Sequence, residues 1–277
     1  MPRTILVGLD GSPYSKAAVE LGISWAKHWD AMLVGMGVID EPSILQPEAV
    51  PVGAASAKKT QSDFLLADSR RKVEGLLEEF ALRCANANVS CKLLEDVGSP
   101  AAQIVQEAQR YDMIMLGRRT YFRFETQTNQ DETLHELIKL SPRPVVAVPD
   151  VSHRGEALVV AYDGSLQAAR MLQAFCSLGF GKLGPLHIVS IHPDHLEAAK
   201  CADRAMDYLS FHKIRAQPHP IASYEPPAEV MLKQIEALNA GLLAMGAYGQ
   251  TTIKEFLFGS MTRTILSEAN APVFLYH

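Results

Sequence analysis

Short, almost unbroken apolar runs alternate along this chain with stretches of helical period. Runs such as TILVGL and MIML have strand length, and their continuity predicts parallel strands covered on both faces. In the first half, strands are predicted near 4–9, 31–39, 89–95, 112–117 and 144–149, with helices near 13–28, 63–86, 99–110 and 131–141. In the second half, strands are predicted near 156–161, 185–191, 214–220, 241–246 and 271–276, with helices near 165–178, 194–212, 226–239 and 260–269. The polar segment Glu41 to Gln61 reads as a long mobile loop. Regular strand–helix alternation predicts doubly wound α/β sheets, with ligands at the carboxyl ends of the strands.

The same pattern occurs twice. TILVGLDGSPYSKAAVEL near the start matches ALVVAYDGSLQAARML past the middle, which makes Asp10 and Asp163 equivalent. YDMIMLGRRT, reaching Gly117, matches AGLLAMGAYG, reaching Gly246, and the proline-led SPRPVVAVP matches ANAPVFLYH. Three landmarks in one order make a duplicated domain, with the charged stretch at about 148–157 as linker. The expected domains are residues 1–150 and 151–277.

After the fourth strand of the second copy comes Gly246-x2-Gly249-x9-Gly259-Ser260. A glycine leaving a strand lets the backbone turn and lets a ligand approach without a Cβ in the way. The helix start offers unpaired N–H groups and partial positive charge to phosphate oxygens, and Ser260 adds a hydroxyl. The plainer alternative is a turn glycine followed by an ordinary N-cap. A capping box would place Glu or Gln three residues after the serine, but Arg263 stands there. A cation in the first turn opposes the helix dipole by about 0.3–1 kcal/mol, a conflict that a bound anion removes.

The first copy departs from this pattern. Thr120 stands where the second glycine should be, and Asp131 and Glu132 stand where Gly-Ser should be. Carboxylates there satisfy the helix N-terminus themselves and repel phosphate. Arg118, Arg119 and Arg123 on the same loop are expected to pair with those carboxylates rather than make a separate anion site.

The aspartate after strand one, the G-x2-G-x9-G-[ST] loop and the proline-led last strand resemble the universal stress protein family in its tandem form. The resemblance spans essentially the whole chain. It implies two tandem doubly wound five-stranded parallel-sheet domains of the adenine nucleotide alpha hydrolase-like type, with ATP, alone or with Mg2+, as ligand. By resemblance Asp163 lies near the adenine or ribose, and Ile191 offers backbone contacts to adenine. Gly246, Gly249, Gly259 and Ser260 cradle ribose and phosphates, with Met261 following. In the first copy Asp10 and Val38 match the adenosine end only, which implies AMP-like binding or none. Pairing of the last strands, 144–149 with 271–276, would make the two domains a pseudo-dimer, and a further homodimer is left open.

Composition changes this picture little. The chain has 277 residues, 48% apolar and 21% charged, with a formal charge of −5. That balance gives no electrostatic reason to expect a nucleic acid or anionic membrane partner. The N-terminal apolar run, Ile5 to Leu9, is too short for a signal peptide, and four cysteines without C-x-x-C spacing read as free thiols; a cytoplasmic protein is expected. There is no G-x4-G-K-[ST], and Gly35-Met-Gly37 lacks the third glycine of a dinucleotide fingerprint. His192, Asp194 and His195 suit a solvated helix start better than a metal site. Trp25 and Trp29, four apart, suit packing. The leading expectation is an ATP-binding stress-response regulator with a protein partner. The alternatives are a nucleotide-independent scaffold and a slow ATPase, the last lacking a general base or arginine finger fixed by the motif.

Overall fold

The computed structural model describes residues 1–45, 55–124, 131–151, 155–247 and 260–277. The chain divides into two compact units, one of Arg3–Pro142 and one of Met1–Pro2 with Arg143–His277.

The first unit runs β1 (Thr4–Leu9), α1 (Pro13–Trp29), β2 (Met32–Ile39), α2 (Glu41–Ile44), α3 (Ala55–Asn86), β3 (Cys91–Val97), α4 (Pro100–Ala108), β4 (Met113–Gly117) and α5 (Thr133–Leu140). Its strands lie in the order β3-β2-β1-β4, all parallel. The chain winds outward from β1 and then returns to place β4 on the other side of β1. That reversal opens a crevice at the carboxyl ends of β1 and β4.

The second unit contains β5 (Val145–Val148), β6 (Ala157–Ala161), α6 (Leu166–Ser177), a 3-10 turn (Phe180–Lys182), β7 (Leu186–His192), α7 (His195–Phe211), β8 (Gln217–Ala222), α8 (Pro227–Ala237), β9 (Ala240–Gly246), α9 (Ser260–Glu268) and β10 (Val273–Tyr276). The order is β5-β10-β9-β6-β7-β8, with the reversal between β6 and β9. All its neighbouring pairs are parallel except β5 with β10, which run antiparallel in the register Val145↔Leu275, Val146↔Phe274 and Ala147↔Val273. The closing strands of the two repeats thus pair directly.

Burial follows position in the sheet. Every residue of β4, β5 and β6 is buried, as two-sided coverage of parallel strands requires. The edge strands β3 and β8 are largely exposed or half-buried. Pro218 and Pro220 lie on β8, and their missing N–H groups blunt that edge against further strand addition. Phe175, Phe180 and Phe274 meet with ring centroids 5.1–5.7 Å apart and form the aromatic centre of the second unit.

Among the boundaries that differ from the sequence expectation, three have a local reason. Residues 55–61, read as loop, belong to α3, and residues 41–44 form a helical turn; residues 46–54 lie outside the described residues. The start of α3 is polar and exposed, so it carries no apolar period to announce it. Strand β8 begins at Gln217 rather than at 214, because Ile214 closes α7 through its N–H to the Leu209 carbonyl at 3.0 Å and is buried there. Strand β3 likewise begins two residues late, Val89 donating its N–H to Cys84 at the end of α3.

Candidate functional site

The repeated Asp-Gly-Ser is first of all a strand-to-helix turn. In each copy one aspartate oxygen accepts the serine backbone N–H at 2.9 Å, Asp10 from Ser12 and Asp163 from Ser165. Gly11 and Gly164 both have φ +77°, a conformation that glycine adopts without strain. Each serine then caps the helix that follows, Ser12 accepting from Ser15 N–H at 3.1 Å and Ser165 from Ala168 N–H at 3.2 Å. The motif therefore has a local structural reason in both copies. What separates them is the second carboxylate oxygen.

In the second unit Asp163 is exposed, and its Oδ2 has no hydrogen-bond partner among the described residues. It leaves β6 beside the ends of β7 and β9, so Asp163, Ile191 and Gly246 come together at the carboxyl edge of three adjacent strands. Ile191 is half-buried on β7, opposite Ile221. Ser190 Oγ donates to the Tyr162 carbonyl at 2.7 Å and ties β7 to the residue before Asp163. Gly246 ends β9, and Ser260 and Met261 open α9, Ser260 exposed and Met261 half-buried. Gly249 and Gly259 lie outside the described residues.

Gly246 has a reason of its own. A Cβ there would fall 2.7 Å from the Ala168 nitrogen and 2.8 Å from the Gln167 carbonyl carbon, both backbone of α6. Gly117 meets the same obstacle, with Tyr14 Cβ at 2.6 Å and the Ser15 nitrogen at 3.0 Å. Close approach of the first helix of each copy is by itself a sufficient reason for both glycines.

In the first unit the chain fills its own crevice. Asp10 is only 4% exposed, and its Oδ2 accepts the Tyr121 backbone N–H at 2.7 Å. Phe122 is buried, its ring lying 3.0 Å from where a Cβ on Gly8 would stand. The second copy has Ala161 at the position of Gly8, two residues before its aspartate. Asp131 holds the same segment from the other side, accepting the Phe122 N–H at 2.8 Å and the Thr133 N–H at 2.9 Å. Arg123 pairs with Asp40 at 3.3 Å, and Lys72 stands over the Phe124 ring at 5.8 Å. Burial pushes the Asp10 carboxyl up from its ordinary range, against the hydrogen bonds from Ser12 and Tyr121 that pull it down; the Asp131 charge adds to the rise.

Of the two carboxylates expected to satisfy this helix start, Asp131 does so through the Thr133 N–H, whereas the Glu132 side chain makes no capping hydrogen bond. The expected arginine pairing differs for Arg123, whose partner is Asp40 at the end of β2. Reasoning from sequence missed Tyr121 and Phe122. Their only signal was an aromatic pair just after strand four, where the second copy has Tyr248-Gly249.

The remaining candidates have ordinary roles. His192 Nδ1 accepts the Asp194 N–H at 3.0 Å, and Asp194 caps α7 through the Leu196 N–H at 2.8 Å. Among the described residues no group of three or more His, Cys, Asp or Glu side chains could hold a metal ion. Trp25 and Trp29 pack edge to face at 5.6 Å. The four cysteines are free thiols, with burial pushing Cys176 up to about 11. No described helix is long and apolar enough to cross a membrane.

Fold and site define a duplicated, doubly wound α/β protein with two crevices at strand-order reversals, one closed by its own chain and one with an exposed aspartate. The chain belongs to the universal stress protein family, whose model matches residues 1–149 and 156–277. It is 24% identical over 171 residues to the universal stress protein Slr1230 of Synechocystis sp., a match covering 60% of this chain and 58% of that relative. Among solved structures it is similar to a universal stress protein from Archaeoglobus fulgidus, with a TM-score of 0.73 and 20% identity over 99% of this chain and 98% of that one. A second similar fold is that of a putative universal stress protein from Pseudomonas aeruginosa, with a TM-score of 0.61 and 12% identity over 99% and 93% of the two chains.

Proposed function

We propose that this protein is an ATP-binding regulator of the universal stress protein type, with nucleotide held in its second copy and its first copy closed. The observation that carries this reading is the contrast between the two aspartates. Asp10 uses both oxygens on its own backbone, whereas Asp163 keeps one for a ligand. Family membership and the Gly246-x2-Gly249-x9-Gly259-Ser260 pattern support the phosphate end of the site. Asp163 and the backbone of Ile191 face the adenosine, while Gly246, Gly249, Gly259, Ser260 and Met261 surround ribose and phosphates. Nucleotide occupancy then alters a surface that a protein partner reads; hydrolysis is no part of the reading.

Mass analysis of nucleotide released from the purified protein, followed by calorimetric titration with ATP, tests it. The expected result is about one ATP per chain and loss of binding in Gly259→Asp, which installs at the second helix start the type of charge that Asp131 carries in the first. Absence of any thermal shift with ATP or AMP would instead favour a nucleotide-independent scaffold.

A further inference from the structure

Cys84 and Cys91 lie at the amino end of β3, away from the carboxyl edge that carries the first crevice. Val73, Leu77, Phe80 and Cys84 recur at helical spacing along α3 and are all buried, so Cys84 sits on the stripe that faces the sheet. Helix α3 runs back along β2. Val73 Cγ1 lies 2.6 Å from where a Cβ on Gly37 would stand, and Phe80 Cδ1 lies 2.6 Å from that point on Gly35. One turn further, Cys84 comes level with Leu33, and the strand register sets Cys91 beside Leu33 on the same face. The turn between the cysteines closes tightly: the Cys84 carbonyl accepts the N–H groups of Ala87 at 3.1 Å and Val89 at 2.9 Å, and Asn88 takes φ +54°. The two thiols hydrogen-bond to each other.

The second copy makes the same turn without sulfur. Leu209 accepts there from His212 at 3.1 Å and Ile214 at 3.0 Å, Lys213 takes φ +57°, and Ala216 stands where Cys91 does. Packing of the turn therefore requires a thiol at neither position. Cys84 is fully buried and Cys91 half-buried. Burial, and then Cys91, push the Cys84 thiol up to about 12, so it keeps its proton at neutral pH. Cys91 is the member that a dissolved oxidant reaches first.

We propose that Cys84 and Cys91 form a modification site, a dithiol that hydrogen peroxide converts reversibly to an intramolecular disulfide. The Cys91 sulfur attacks one peroxide oxygen and the O–O bond breaks. That oxygen stays on sulfur as a sulfenic acid, and the other leaves as water with the Cys91 proton. The Cys84 sulfur then attacks the Cys91 sulfur, the S–O bond breaks, and hydroxide leaves with the Cys84 proton as a second water. Two thiol hydrogens and two electrons thus end in two waters, and a dithiol reductant restores the pair.

Trypsin cuts after Arg83 and Lys92, so one peptide carries both cysteines. The full chain is treated with hydrogen peroxide alongside free glutathione, unfolded in iodoacetamide, digested and weighed. The expected peptide is unalkylated and lighter by two hydrogens, and regains both alkylations after dithiothreitol. In Cys91→Ser no disulfide forms and Cys84 stays alkylatable; in Cys84→Ser dimedone traps Cys91 as its sulfenic acid. A wild-type peptide alkylated at both cysteines when the glutathione is fully oxidised overturns the proposal. A disulfide that instead joins two chains, or that reaches Cys176 or Cys201, overturns it too.

Discussion

Alanine at the two equivalent aspartates should have opposite effects. Asp10→Ala removes the acceptor of two backbone N–H bonds, from Ser12 at 2.9 Å and Tyr121 at 2.7 Å, at a site 4% exposed. Each hydrogen bond to a charged group contributes about 1.5–3 kcal/mol, and the donors left behind lie where water has poor access. Part of this is offset because burying the carboxylate is itself unfavourable, as its raised pKa reports. The net cost is about 2–4 kcal/mol, which for a unit of this size lowers its melting temperature by roughly 6–12 °C. Asp163→Ala removes one exposed bond that water replaces, so its cost stays below about 1 kcal/mol. Its effect falls on ATP affinity, which should drop at least about tenfold as the ligand loses a charged acceptor. Differential scanning calorimetry and ATP titration on both variants separate the two outcomes. Equal destabilisation, or loss of ATP binding in Asp10→Ala but not in Asp163→Ala, would refute the assignment of the closed and open crevices.

Two further outcomes follow from local geometry. Gly246→Ala and Gly117→Ala should each cost about 1–3 kcal/mol in chemical denaturation without nucleotide, since the new methyl meets the backbone of α6 or α1; a neutral Gly117→Ala would refute the packing explanation. His187 Nδ1 and His219 Nε2 lie 2.9 Å apart on β7 and β8, and burial lowers both pKa values, with His219 adding to the shift of His187. A lowered histidine pKa means that the unfolded chain binds more protons. The stability it contributes is therefore complete above the ordinary histidine value and lost as pH falls through the lower folded one. Melting temperature should fall between pH 7 and pH 5, and less steeply in His219→Gln. His277 is also lowered, by burial and then by Arg170, so an identical slope in His219→Gln would assign the effect elsewhere.

The duplication, the strand–helix alternation and the turns were legible because they rest on local chemistry. Asp-Gly-Ser makes an aspartate-bonded turn, a positive-φ glycine and a helix cap within a few residues, whatever surrounds it. Continuous apolar runs report burial on both faces, and β4, β5 and β6 are buried throughout. Exposed or edge elements were harder to read. The polar start of α3 and the proline-bearing β8 carry little apolar pattern, so their boundaries shifted. The site divided in the same way. Asp10 and Asp163 are indistinguishable as sequence, each followed by Gly-Ser, and a one-dimensional reading could contrast only the loops that follow strand four. Tertiary structure alone decided that Tyr121, 111 residues from Asp10, takes the second oxygen, that Leu116 and Phe122 fill the space left by Gly8, and that α7 brings Arg204 over Gly164. These depend on which segments the crossovers bring to the carboxyl edge of the sheet, where partners distant in the chain compete for the same few hydrogen-bonding groups.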